Sequence, residues 1–124
     1  MIKKILFIED ETQLADLYAM VLRKEKYEIT VAKDGVEGFK LAQSGEFDLV
    51  LLDLMLPNMS GFEILQGLRN TQKSPKFKGR IIILTNFGED PETRKKMEDL
   101  TDGYLLKVNY TPRALVDYIK KLPG

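Results

Sequence analysis

Side chains able to do chemistry follow four short apolar segments of this sequence. Glu9 and Asp10 follow the first segment, Asp53 the third, and Thr85 and Lys107 the last two. Converging carboxylates suit Mg2+, because this ion takes oxygen ligands in octahedral geometry and keeps several waters. The ion would also relieve the repulsion between like charges. A carboxylate beside a metal and positioned donors can attack a phosphoryl group and retain it.

Asp53 is the best candidate for the nucleophile. It ends the wholly apolar segment 49–52, which would hold it rigidly at the central edge of a sheet. Lys107 would then pair with one phosphoryl oxygen, and the hydroxyl of Thr85 would donate to another. Structural roles remain as alternatives, namely a strand-end cap for Asp53, a buried ion pair with an aspartate for Lys107, and a local backbone bond for Thr85.

The apolar segments predict five strands, and the stretches between them have helical spacing. The strands are Ile5 to Ile8, Ile29 to Ala32, Leu49 to Leu52, Ile81 to Leu84 and Tyr104 to Leu106. Apolar residues at helical spacing are Leu14, Leu17, Tyr18, Val21 and Leu22, then Val36, Phe39 and Leu41, then Phe62, Ile64, Leu65 and Leu68. This alternation favours an α/β fold, a doubly wound (βα)5 architecture with a parallel sheet. The carboxyl ends of its strands share one edge, where ligands bind.

Capping residues predict where four helices begin. A short polar side chain is paired with a glutamate three positions later or with a following proline. The pairs are Asp34 with Glu37, Ser60 with Glu63, Asp90 with Pro91, and Thr111 with Pro112. The predicted starts are Gly35, Gly61, Pro91 and Pro112. The polar, basic segment 73–79 is interpreted as a solvated connection.

Composition restricts the classes of function. A chain of 124 residues fits one domain, residues 1–124. Nineteen basic residues balance nineteen acidic ones, so no global field favours direct binding to nucleic acid or membrane. Cysteine and histidine are absent, which excludes disulfides, thiolate metal sites and histidine bases. The apolar stretch near Met1 is too short for a signal or a membrane span, so we expect a cytoplasmic protein.

Four motifs together resemble the receiver domain of bacterial two-component response regulators over essentially the whole chain. They are the acidic pair after the first strand, L-L-D-L-M-L-P from Leu51 to Pro57, I-I-L-T from Ile82 to Thr85, and G-Y-L-L-K from Gly103 to Lys107. The resemblance implies a flavodoxin-like sandwich with strand order 2-1-3-4-5. It also implies a signalling switch that catalyses only its own phosphorylation and slow autodephosphorylation.

The resemblance implies a role for each site residue. Asp53 would be the phosphoacceptor. The expected Mg2+ ligands are Glu9, Asp10, Asp53 and the backbone carbonyl of Met55. Thr85 and Lys107 would contact the phosphoryl group. Phosphorylation would move Thr85 toward that group and turn Tyr104 inward, which would alter the surface of the fourth helix, fifth strand and fifth helix.

Several positions depart from the usual pattern of the family. The acidic pair is Glu-Asp rather than Asp-Asp, a variant expected to preserve the metal. Val108 replaces the proline that usually follows the lysine. The cis peptide usual at this position in the family is therefore not expected here, because a cis peptide without proline costs about 3 kcal/mol. Asn86 replaces a small alanine and is expected to reshape its loop. Met55 and Phe87 flank the approach of hydrolytic water, and their apolar bulk predicts a slowly decaying phosphoryl group.

The expected phosphodonor is a sensor histidine kinase or a histidine phosphotransfer protein, since this chain has no histidine. A downstream protein of unknown identity would receive the signal. A phosphorylation-dependent homodimer remains open. Receivers that dimerise to bind DNA usually carry an arginine in the last helix and an acidic pair before the switch aromatic. Asp117 and the pair Asp102-Gly103 stand there instead, which disfavours that dimer.

Three other functions fit parts of the sequence. A receiver-like module that docks partners without phosphorylation would not need the full acidic set. A flavin or nucleotide carrier would need a glycine-rich phosphate loop, which is absent after every predicted strand. A phosphohydrolase with an aspartate nucleophile would carry a second acid where Met55 stands. The charged run from Arg94 to Asp102 is either a solvated helix face or a partner surface.

Overall fold

The computed structural model describes residues 1–86 and 88–123, in which five strands alternate with five α-helices. The strands are β1 (Lys4–Ile8), β2 (Glu28–Ala32), β3 (Leu49–Leu52), β4 (Arg80–Thr85) and β5 (Gly103–Leu106). The helices are α1 (Thr12–Lys24), α2 (Gly35–Gln43), α3 (Gly61–Arg69), α4 (Pro91–Asp99) and α5 (Pro112–Lys120). The predicted strands are confirmed to within one residue at each end.

All five strands are parallel and form one sheet in the order β2-β1-β3-β4-β5. The doubly wound architecture and the strand order are therefore confirmed. Register aligns the carboxyl ends of the central strands, because Ile8 lies opposite Leu52 and Leu52 lies opposite Ile83. Between β4 and the outer strand β5, Thr85 lies opposite Leu106. The residues that follow these strands consequently emerge side by side.

Two apolar layers cover the two faces of the sheet. Alternate residues of a strand point to opposite faces, so Leu6 and Ile8 contribute to one layer while Ile5 and Phe7 contribute to the other. One layer is completed by α2, α3 and Met97 of α4, and the other by α1 and α5. Residues 5–8, 49–52 and 81–85 are fully buried, which gives the site a rigid base.

Capping side chains begin four of the helices where the sequence predicts. Ser60 and Glu63 form a complete capping box, with reciprocal bonds at the start of α3. At the other three starts the capping side chain accepts a backbone N–H. The acceptors are Asp34 from Glu37 at 2.9 Å, Asp90 from Thr93 at 3.0 Å, and Thr111 from Ala114 at 3.1 Å. Local chemistry therefore determines the starts of α2 to α5.

Some expectations about burial are corrected by the structure. Leu17 and Val36 have the spacing of core residues, yet their side chains are exposed on α1 and α2. The segment 73–79 is solvated at its lysines but not throughout. Ser74 is buried and donates its hydroxyl to the carbonyl of Gly67, and Phe77 packs into the core. Spacing alone does not reveal which side of a helix the neighbouring elements cover.

None of the helices in the described ranges is long and apolar enough to cross a membrane. The longest, α1, has 13 residues, whereas a membrane-spanning helix needs about 20 apolar residues.

Candidate functional site

The carboxyl edge of the sheet holds a cavity of about 310 Å3 lined by charged and hydroxyl side chains. Its lining residues are Asp10, Glu11, Asp53, Met55, Thr85, Asn86 and Lys107. A larger cavity of about 470 Å3 lies at the opposite edge, where Asp48 and Asp102 accept several hydrogen bonds. The smaller cavity is the better candidate, because the carboxylates of Glu9, Asp10 and Asp53 converge there beside Thr85 and Lys107.

Asp53 is held through both oxygens of its carboxylate. Thr85 Oγ1 donates to Asp53 Oδ1 at 2.8 Å, and Lys107 Nζ donates to Asp53 Oδ2 at 3.0 Å. The backbone N–H of Met55 donates to Oδ1 at 3.2 Å. The residue is only 6% exposed. These donors fix the direction of the carboxylate, as the chemistry of a positioned nucleophile requires.

The backbone below Asp53 leaves no space for a side chain on the first residue of α3. A Cβ at Gly61 would lie 2.2 Å from the carbonyl oxygen of Asp53. The Gly61 N–H also donates to the Leu54 carbonyl at 3.1 Å. Helix α3 therefore begins directly against the segment that follows β3.

Lys107 bridges two carboxylates beneath the cavity. Its ammonium forms an ion pair with Glu9 Oε1 as well as the bond to Asp53. Glu9 is fully buried, and its other oxygen accepts the N–H of Glu11 at 3.2 Å. Burial raises the pKa of Glu9 to about 7, against the opposing effect of the Lys107 bond. Burial alone would lower the pKa of Lys107, but its bonds to Glu9 and Asp53 raise it above the usual value.

Three carboxylates are placed as metal ligands would be. One oxygen from each of Glu9, Asp10 and Asp53 lies within 4.8 Å of the others. Glu9 Oε1 is buried and accepts no hydrogen bond of regular geometry within the described residues, although the lysine charge is adjacent. A donor set made only of converging carboxylate oxygens fits Mg2+. The convergence predicted for these three residues is therefore observed.

Tyr104 of β5 lies inside the protein. Its ring is 6% exposed, and the guanidinium of Arg94 lies 4.6 Å from the ring centroid. Arg94 also pairs with Glu98 at 3.4 Å on α4. Asp102, the last residue of the charged run, instead pairs with Arg69 and Arg80, at 3.4 and 3.2 Å. The charged run is therefore divided between the exposed face of α4 and a partly exposed network of ion pairs around Asp102.

Met55 and Asn86 lie at the rim of the cavity. Met55 is 61% exposed, so its side chain borders the cavity without closing it. Asn86 is exposed and lines the same cavity. The Lys107–Val108 peptide is trans, as are all peptides between described residues. Phe87, the second residue expected to tune the lifetime, lies outside the described residues.

One contact near the site was not predicted from the sequence. Tyr18 of α1 is 3% exposed, and its hydroxyl donates to the backbone carbonyl of Tyr110 at 2.6 Å. Burial raises the pKa of Tyr18, which is also influenced by the charges of Lys107 and Glu9. Helical spacing correctly identified Tyr18 as a core residue. Its bond spans 92 positions of the sequence, and no local pattern signals it.

Comparison with known proteins identifies the family. The family model described as response regulator receiver domain matches residues 5–120. The chain belongs to the response regulator receiver domain family. The motif-based resemblance is therefore confirmed, and membership implies two-component phosphorelay signalling. Within a receiver domain, the acidic cluster at this edge is where Mg2+ binds.

Relatives of this receiver domain include regulators and solved structures. The transcriptional regulatory protein SrrA of Staphylococcus aureus is 35% identical over 122 residues, 98% of this chain and 48% of the relative. The chain thus spans about half the length of the curated relatives it matches. A CheY-like receiver domain of Methanospirillum hungatei JF-1 is 28% identical with a TM-score of 0.80, covering 98% of this chain and 93% of that one. The regulator TrrA of Thermotoga maritima, solved with Mg2+ and BeF, is 33% identical with a TM-score of 0.79, covering 98% and 99%.

Proposed function

We propose that Asp53 accepts a phosphoryl group from a phosphohistidine of a sensor kinase or a phosphotransfer protein, in a reaction that requires Mg2+. The observation that carries the proposal is the pair of donors on Asp53. Lys107 and Thr85 bind different oxygens of one carboxylate, at 3.0 and 2.8 Å, beside two further carboxylates. Such an arrangement orients a nucleophile and supplies donors for the charge that arrives with the phosphoryl group.

In the transfer step, an oxygen of Asp53 attacks phosphorus as the phosphorus–nitrogen bond to the donor histidine breaks. Lys107 and Thr85 then donate to phosphoryl oxygens rather than to the free carboxylate. Glu9, Asp10, Asp53 and the carbonyl of Met55 would hold Mg2+, which when bound neutralises phosphoryl charge. Most of the catalysis is therefore positioning and electrostatic stabilisation.

The proposed output is a shift between conformations of the surface formed by α4, β5 and α5, read by a downstream protein in the cytoplasm. Thr85 and Tyr104 would couple that surface to Asp53. Tyr104 already lies buried beneath Arg94. Phosphorylation would therefore favour this inward arrangement over an outward one, rather than create it.

The domain, residues 1–124, would act as a switch and not as a turnover enzyme, because the product of its reaction stays on its own side chain. A phosphorylation-independent interaction module is the second candidate. It is favoured by one observation, the closed network in which Lys107 pairs with both Glu9 and Asp53 without phosphate.

The two candidates are separated by a labelling experiment. Incubation of the protein with acetyl phosphate and Mg2+ should add one labile phosphate, detected by intact-protein mass spectrometry. Asp53→Asn should abolish labelling, and omission of Mg2+ should reduce it strongly. Asp48→Asn is the matched control, since Asp48 accepts two backbone N–H groups at the opposite edge of the sheet. Equal labelling of the Asp53 variant would exclude Asp53 as the acceptor.

A further inference from the structure

The turn that carries Lys107 has little packing of its own. Residues Lys107–Asn109 form a single 3₁₀ turn, closed by the Tyr110 N–H to the Lys107 carbonyl at 3.2 Å. Hydrogen bonds in such turns have poorer geometry than those of an α-helix. Val108 is 82% exposed and Asn109 is also exposed. Position 108 is not proline, so no ring restricts its backbone. The turn therefore depends on contacts at its ends.

The far end of the turn is anchored by Tyr18. The Tyr18 hydroxyl, buried on α1, donates to the Tyr110 carbonyl at 2.6 Å. Its ring packs edge-on against Phe7 of β1, with centroids 5.8 Å apart. The Tyr110 ring in turn packs edge-on against Tyr118 of α5 at 5.9 Å. Tyr110 is thus tied to both helices on one face of the sheet.

The near end of the turn must present Lys107 to two carboxylates at once. Its ammonium lies between Glu9 and Asp53, and its side chain is 6% exposed. A small displacement of the backbone at this point would lengthen the contact with one of the carboxylates. Phe7 of β1, which supports the Tyr18 ring, lies two residues before Glu9, which directly follows that strand. The contact between Phe7 and Tyr18 therefore links Tyr18 to β1, the strand that Glu9 follows.

We infer that Tyr18 is a positioning residue for the phosphorylation reaction, which acts by holding the Tyr110 carbonyl and thereby the turn that presents Lys107 to Asp53. The inference rests on the proposed role of Asp53 as acceptor. It assigns a role to the hydroxyl of Tyr18 that is separate from the packing of its ring. Tyr18 is buried, and leaving its hydroxyl without an acceptor would be costly, so the bond should be present whenever the domain is folded.

Tyr18→Phe tests the hydroxyl, because phenylalanine keeps the ring and its contact with Phe7. Phosphorylation by acetyl phosphate at saturating Mg2+ should slow by about fivefold, which corresponds to about 1 kcal/mol of transition-state stabilisation. Two measurements on the unphosphorylated protein should change as well. Amide hydrogen exchange of Val108 and Asn109 should accelerate, and the NMR resonance of the Lys107 ammonium should shift.

Tyr118→Phe is the matched control. It removes a tyrosine hydroxyl that also donates to a backbone carbonyl, that of Asp102 at 3.3 Å, while keeping the ring that contacts Tyr110. This variant should phosphorylate at the wild-type rate with an unchanged Lys107 resonance. Comparison of the two variants by denaturant unfolding separates a general loss of stability from a local effect.

The comparison of Tyr18→Phe with Tyr118→Phe shows whether the Tyr18 hydroxyl positions the turn. A Tyr18 variant that matches the control in phosphorylation rate, hydrogen exchange and Lys107 resonance would overturn it. If the wild-type protein took no phosphate, the proposed function would fail. The hydrogen exchange and the Lys107 resonance, which need no phosphorylation, would still show whether Tyr18 positions the turn.

Discussion

At the scale of single residues, Lys107 makes a cluster of like charges compatible with a folded protein. Glu9 and Asp53 are both buried, and burying a charged carboxylate without a partner is costly. The lysine ammonium contacts both. Because a buried ion pair loses much of its attraction to desolvation, this contact contributes more to organising the site than to net stability.

Met55 provides a prediction at this scale. Its exposed side chain borders the cavity and cannot orient a water strongly, so it should slow hydrolysis of the aspartyl phosphate. Met55→Asn should accelerate the loss of phosphate, and combination with Phe87→Glu should bring the change to about tenfold, equivalent to about 1.4 kcal/mol of barrier. The decay is followed by mass spectrometry after removal of the phosphodonor.

Val36→Asn is the control for this prediction, because Val36 is an exposed apolar residue on α2. Its decay rate should equal that of the wild-type protein. An unchanged rate in the double variant at positions 55 and 87 would show that these side chains do not guard the phosphoryl group.

At the scale of elements, α1 and α5 are joined by an ion-pair cluster at the end of α1. Glu25, the C-cap residue of α1, pairs with Lys120 and, at 3.2 Å, with Arg113 of α5. The bond from Lys120, supported by Arg113, lowers the pKa of Glu25 from its ordinary value of 4.5. These two helices also support the turn that presents Lys107, through Tyr18 and Tyr118.

The Glu25 cluster predicts a dependence of stability on pH. A carboxylate with a lowered pKa in the folded protein stabilises it fully above pH 4.5, and this contribution is lost as the pH falls through the folded-state pKa. Urea denaturation should therefore find the wild-type protein more stable than Glu25→Gln near neutral pH, with a difference that shrinks as the pH falls toward 3.

Asp117→Asn is the comparison for the Glu25 variant. Asp117 pairs with Arg113 at 3.5 Å at a site where both side chains are more than half exposed, so its removal should have little effect. A difference between wild type and Glu25→Gln that stayed constant across this pH range would contradict the lowered pKa.

At the scale of the whole molecule, the sheet order places Thr85, which bonds to Asp53, next to a weakly packed region. Thr85 ends β4, and β5, which carries Tyr104, is the neighbouring edge strand. Helix α4 has Met97 as its buried residue and is otherwise strongly charged. Few buried apolar contacts allow an element to move at low cost. A change at Asp53 should therefore spread toward α4, β5 and α5.

A phosphoryl mimic tests this route. Beryllofluoride with Mg2+ should change the amide chemical shifts of residues 91–118, while those of β2, at the far edge of the sheet, should change little. Thr85→Ala should reduce the changes in residues 91–118 without preventing the mimic from binding at Asp53. Unchanged shifts in those residues of the wild-type protein would rule out the proposed coupling.

The sequence by itself determined the elements and the candidate site. Strand positions follow from short apolar runs, and the starts of α2 to α5 follow from capping bonds between residues three positions apart. Both depend on neighbours in the chain, so they can be read locally. The alternation of elements then implied a parallel sheet, and that topology alone brings Glu9, Asp53 and Lys107 to one edge.

Only the tertiary structure decided how those residues pair. The bridge of Lys107 between Glu9 and Asp53 depends on side-chain reach across strands that are far apart in sequence. The same is true of the bond from Tyr18 to the Tyr110 carbonyl. Exposure of Leu17 and Val36, at positions with core spacing, depends on which faces the neighbouring elements leave uncovered. These contacts join residues whose separation is set by the packing of whole elements, and no local pattern in the sequence encodes that separation.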